Sequence, residues 1–184
     1  MSSIEPDQRD PAAIVGVEVG YSTLEDRIQM RLKPKGESRL IISWLPQRVI
    51  DLLQDRLIRS LRGARLQSKR VRKGNQQASI RAIEHLLDPG TAKIKEQELS
   101  AYLTSETWLD VRAGRLYLQL LGYPLPEPAG VAGIAQKICL LELTPNQGKE
   151  LLWIIKASSA QGGWPVGQSR IGQYRRRYLR WGKS

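Results

Sequence analysis

Side chains suited to holding phosphate are spread unevenly along this 184-residue chain. No Asp or Glu occurs between Arg56 and Ile83, while Arg56 to Lys73 carries eight Lys and Arg. Acids stop again after Glu150, and Arg170 to Lys183 carries six more basic residues. The two segments hold 14 of the 29 Lys and Arg, leaving 15 elsewhere against all 18 Asp and Glu. The net charge of +11 is therefore localised, and a localised basic excess suits a polyanionic partner such as DNA or RNA. In the first segment the candidate contacts are Arg59, Arg62, Arg65, Lys69, Arg70, Arg72 and Lys73. In the second they are Arg170, Arg175, Arg176, Arg177, Arg180 and Lys183. Arginine forks bind phosphate oxygens in pairs, and such contacts fix position without reading sequence.

Each segment also has a purely structural explanation. Basic residues at a helix C-terminus are favoured by the helix dipole. Eight of them without one acid exceed what a single terminus needs. In the tail, Ser169 can cap a helix from Arg170 to Trp181, with Ile171, Tyr174, Tyr178 and Trp181 along one stripe. That spacing is the signature of a packed helix face, so these aromatic residues are expected on the core rather than stacked on bases. The arginines between them have no neighbouring acid to offset their mutual repulsion.

Catalytic chemistry finds little to work with. His85 is the only histidine and Cys139 the only cysteine, so a Cys/His zinc site cannot be assembled within one chain. A Ser-His-Asp or Cys-His arrangement would have to use His85, which sits beside Glu84 in a segment that reads as a helix surface; no G-x-S-x-G elbow occurs. Gly162 to Ser169 fits the phosphate-loop spacing G-x-x-x-x-G-x-S, but Gln168 stands where the lysine is required. Glu18, Asp110 and Glu142 are the carboxylates in strand-like stretches; to hold a catalytic cation they would have to converge from three distant positions. No catalytic residue, metal or cofactor is therefore assigned. The expected function is non-enzymatic binding of nucleic acid through the two basic segments. The alternatives are an assembly subunit whose basic segments meet an acidic protein, and a peripheral membrane contact through the tail.

The elements that must position these segments are legible in outline. Ala13–Gly20, Arg27–Lys33 and Arg39–Trp44 read as strands, the second alternating cleanly and the third apolar enough to be central. A helix opens at Pro46, with Leu45, Val49, Leu53, Leu57 and Leu61 as its core stripe. Gly63 interrupts it. A short helix capped by Ser79, with Ile80, Ile83 and Leu87 inward, and another capped by Thr91, with Ile94, Leu99, Tyr102 and Leu103 inward, are expected next. Thr107–Arg112 and Arg115–Leu121 form a hairpin around Ala113-Gly114, and Tyr123–Gly130 reads as a proline-rich connection, unsuited to a helix or a central strand. Ala132–Leu143 reads as a long strand. Thr144, Pro145 and Gln147 then make a capping box for a helix that is apolar on nearly all sides and ends at Gly162-Gly163.

The strand–Pro–helix stretch from Ile138 has an echo in Leu40–Leu57. Aligning Pro46 with Pro145 sets Asp51 over Glu150 and Leu52-Leu53 over Leu151-Leu152. The expected fold is α+β: an antiparallel sheet of about six strands from two pseudo-repeated βββα halves, with a helical insertion and a basic C-terminal helix. The divisions are a flexible leader over 1–12, a first half over 13–62, the insertion over 63–106, a second half over 107–161 and the tail over 162–184. A polar, acidic leader and a lone cysteine suit the cytoplasm, and no apolar run approaches the roughly 20 residues of a membrane span.

Overall fold

The computed structural model describes residues 13–67, 79–82, 99–126 and 133–164. They form an α+β fold in the order β1 (Ile14–Ser22), β2 (Arg27–Pro34), β3 (Leu40–Leu45), α1 (Gln47–Gln67), β4 (Ser79–Ala82), β5 (Leu99–Arg112), β6 (Arg115–Leu125), β7 (Gln136–Leu143) and α2 (Pro145–Gln161). The seven strands make one sheet, ordered β4-β1-β2-β3-β5-β6-β7. β3 is its middle strand, as its apolar sequence requires.

The sheet is mixed rather than antiparallel. β1–β2–β3 and β5–β6–β7 are antiparallel meanders, but β3 pairs in parallel with β5, and β4 pairs in parallel with β1. A parallel pair needs a long crossover, which α1 begins. Nothing local in β3 signals a partner that lies more than 50 residues downstream.

The two expected helices at Ser79 and across Leu99–Leu103 are strands. Ile80 is buried and its β4 neighbours are exposed, so the segment is held by pairing Gly16 to Ser79 and Val17 to Ile80 at the free edge of β1. In β5 the helix-like spacing of Leu99, Tyr102 and Leu103 is coincidental. Their register sets Leu99 beside Leu40, Tyr102 beside Ser43 and Leu103 beside Trp44. Pro124, expected in a connection, lies inside β6 opposite Tyr102; it is near the strand's end, where a missing N–H is tolerated.

One face of the sheet packs on both helices. Cross-strand rows run Val17–Leu32–Ile41, Val19–Met30–Ser43 and Ile28–Leu45 through the first meander. Leu118–Leu141 and Leu116–Leu143 continue them through the last two strands. All of these residues are buried. α1 supplies Val49, Ile50, Leu53, Leu57 and Leu61, and α2 supplies Leu151, Ile154 and Ile155. α1 packs chiefly against β5 and α2 against β1, while the helices touch each other. Gly148 makes that approach possible: a Cβ there would stand 2.4 Å from Leu116 Cδ1 and 3.3 Å from Leu61 Cδ2.

α2 begins as expected, with Thr144 Oγ1 accepting from Gln147 N and Gln147 Oε1 accepting from Thr144 N at 2.8 Å. It is not buried on nearly all sides, because Trp153 is 67% exposed. Past Gly163, with φ +67, the chain turns so that Trp164 packs edge-on against Tyr21 at 5.7 Å. No helix among the described residues is long and apolar enough to cross a membrane.

Candidate nucleic-acid interface

Of the thirteen residues assigned to phosphate contact, Arg59, Arg62 and Arg65 fall on α1. Lys69, Arg70, Arg72, Lys73, Arg170, Arg175, Arg176, Arg177, Arg180 and Lys183 lie outside the described residues, as do His85, the leader over 1–12 and the proposed tail helix. Arg59 and Arg62 are exposed. Arg59 Nε donates to the Asp55 carbonyl at 3.3 Å, and neither guanidinium is in an ion pair with a described acid. Asp51 and Asp55 sit in the first half of α1, so its second half has no acid at all.

Arg56 belongs to the same row. Residues three apart on a helix are surface neighbours, each turned by about 60° from the last. Arg56, Arg59 and Arg62 therefore cross the solvent side of α1 obliquely, starting where the helix meets β5. There Arg56 reaches from helix to sheet: Nη1 donates to Thr107 Oγ1 at 3.5 Å, and its guanidinium lies over the Trp108 ring, 5.9 Å from the centroid.

Trp108 was not among the residues picked from the sequence. It is 59% exposed. A register irregularity between Thr104 and Glu106 puts it outside. Before this bulge the even positions Tyr102 and Thr104 face the core; after it the odd positions Thr107, Leu109 and Val111 do. Because side chains alternate, one extra residue sends Glu106, Trp108, Asp110 and Arg112 to the open face. Gly122 opposes Thr104 at the bulge, where a Cβ would stand 2.2 Å from the Leu103 carbonyl oxygen. The signal was present in Glu106-Thr107-Trp108-Leu109-Asp110-Val111-Arg112, whose alternation groups the tryptophan with charged residues.

Around Trp108 the open face is shallow. Gln119 lies directly opposite in the register, with Leu140 beyond it on β7. Arg112 Nε donates to Asp110 Oδ2 at 2.6 Å, and its guanidinium lies over the Tyr117 ring. The arginine's hydrogen bond, aided by the Val111 N–H, holds the Asp110 carboxyl below its ordinary value. Arg115 Nη1 donates to Glu142 Oε1 at 2.6 Å. Asp110 and Glu142 are thus each engaged with an arginine, while Glu18 lies opposite Arg31 in the other meander. The three strand carboxylates do not converge, and among the described residues no group of His, Cys, Asp and Glu is placed to hold a metal ion.

Cys139 is buried in β7 opposite Leu120. Burial pushes its thiol up to about 12, so it remains protonated and packs as a small apolar side chain. No protein-family model matches the chain, and neither does any curated protein or solved structure.

Proposed function

We propose that this protein is a non-enzymatic nucleic-acid-binding protein that grips the phosphate backbone through its two Arg/Lys-rich segments. One observation carries the proposal: Arg59 and Arg62 stand exposed on the acid-free half of α1, in no ion pair with a described acid, within a segment that has eight basic residues. A row of exposed guanidinium groups repels itself, and a polyanion relieves that repulsion while releasing its own counterions. The cytoplasm is the compartment proposed with it.

Fluorescence anisotropy with duplex and single-stranded probes across a salt series tests this. Contact with about four phosphates on duplex DNA gives a log K against log salt slope of about −3.6. Absence of binding to both probes at low salt overturns it.

A protein partner has one observation in its favour. Leu99 and Leu125 stand exposed on the open sheet face, at 44% and 39%. An acidic partner that met the basic segments and also covered these leucines would be recovered from lysate after nuclease treatment, whereas capture through nucleic acid would be lost. The proposed duplication fits the function: each meander runs into a helix, and each helix is followed by a basic segment.

A further inference from the structure

We infer that Trp108 is a stacking platform for an unpaired base, and that the ligand is therefore single-stranded nucleic acid, its backbone led across α1 by Arg56, Arg59 and Arg62. The inference rests on the nucleic-acid reading above and narrows it.

A tryptophan is a costly residue to leave in water, and this one is placed in water by a bulge and by a glycine that accepts no Cβ. The ring lies beneath Arg56, which also makes a long hydrogen bond to Thr107. Trp108 nonetheless keeps more than half of its surface exposed, at 59%. A base laid on the exposed part of the ring gains aromatic overlap, and the guanidinium over the ring adds a cation beside it. Tyr117, the nearest other ring on this face, is already covered by Arg112. Gln119 faces Trp108 across the hairpin and brings an amide that can both donate and accept beside a stacked base.

The charges around the platform favour a path toward α1. Asp110 is held by Arg112 and Glu142 by Arg115. Glu106, two residues from Trp108 on the same face, repels a backbone that would run along β5 toward the bulge. From Trp108 the arginines in no ion pair with a described acid are Arg56, Arg59 and Arg62 along α1. A duplex cannot use this arrangement, because its bases are stacked on one another. A flexible single strand can place a base on the sheet and its phosphates on the helix.

The full chain is titrated with a thymidine dodecamer, an abasic dodecamer of the same length, the uridine dodecamer and a duplex. The unmodified protein is expected to bind the thymidine strand more tightly than the abasic one. Trp108→Ala is expected to weaken the thymidine complex by about 5- to 150-fold and erase the preference over the abasic strand. Trp108→Phe should keep most of the preference. Trp153→Ala, which removes another exposed tryptophan, should leave it intact. Arg56→Gln should flatten the single-strand salt slope by about 0.7. Comparison of the thymidine and uridine strands separates DNA from RNA as the source of the base. If the unmodified protein binds the duplex but shows no preference for bases over abasic sites, or if Trp108→Ala leaves that preference unchanged, the platform is overturned while the nucleic-acid proposal stands. If none of the four probes binds, both fall.

Discussion

The helices α1 and α2 each follow the last strand of a meander and press on the same core, yet they are finished differently. α2 is closed at both ends. A complete capping box starts it, and Gly163 with Trp164 returns the chain onto Tyr21. α1 starts from the buried Leu45 and from Pro46, whose carbonyl accepts from Val49 N and Ile50 N at 2.9 and 3.1 Å. The residue aligned with Thr144 is thus spent on the core, and α1 has no equivalent hydroxyl. Its other end runs out in arginines. The inner faces of the two helices are alike because the sheet demands the same thing of both. Their outer faces differ because nothing in the core constrains them: α2 shows Lys149, Trp153 and Ala157, and α1 shows Arg48, Arg59 and Arg62. The outside of α1 can therefore vary at little cost to the fold.

The strongest way to break this comparison is to remove a core side chain from each helix. Leu53→Ala and Ile154→Ala should each cost about 2–5 kcal/mol by chemical denaturation. A loss below about 1 kcal/mol in either would mean that helix is not part of the shared core. Next in size is Gly122→Ala, expected to cost about 1–3 kcal/mol because the added methyl meets the Leu103 backbone, which cannot turn aside as a side chain would. Unchanged stability there would show that the bulge tolerates a side chain and does not fix the facing of Trp108.

Thr144→Ala should cost about 1 kcal/mol through loss of the cap, while Gln47→Ala at the start of α1 should stay within about 0.5 kcal/mol. Equal losses would remove the distinction between the two helix starts. Smaller still in stability is Arg59→Gln with Arg62→Gln, expected to shift it by under about 0.5 kcal/mol each. The same pair should flatten the single-strand salt slope by about 1.4, which anisotropy reads directly.

Ionisation of Cys139 should have no effect on stability near neutral pH. Its thiol is held protonated in the fold up to about 12, whereas in the unfolded chain it ionises near its ordinary value of 9.0. The unfolded state thus binds fewer protons in that window, and stability falls as pH rises from about 9 to about 12. Cys139→Ala should lose this alkaline component, measured as the change in denaturation midpoint across that range.

Local pattern was enough wherever a segment's partner is its own neighbour. The β5–β6 turn at Ala113-Gly114, with φ of +48 and +74, joins adjacent strands and was readable from its alternating flanks. The capping box of α2 is a matter of four consecutive residues, and the stripe from Leu45 to Leu61 repeats every fourth position. The acid-free segments are visible because charge is counted along the chain. What failed were segments whose form depends on distant pairing. Ser79–Ala82 is too short to declare itself and becomes a strand because β1 offers it an unpaired edge. Leu99–Arg112 hides its alternation behind a bulge.

Sequence alone thus determined the α+β class, the two core-facing helices, the cap and the location of the excess charge, because each follows from side chains within a few turns of one another. The tertiary structure decided that β3 and β5 run parallel, that a bulge and Gly122 turn Trp108 to the open face, and that Arg56 meets its ring. Those facts depend on which strands pair and in what register, and hydrogen bonding between distant segments sets both.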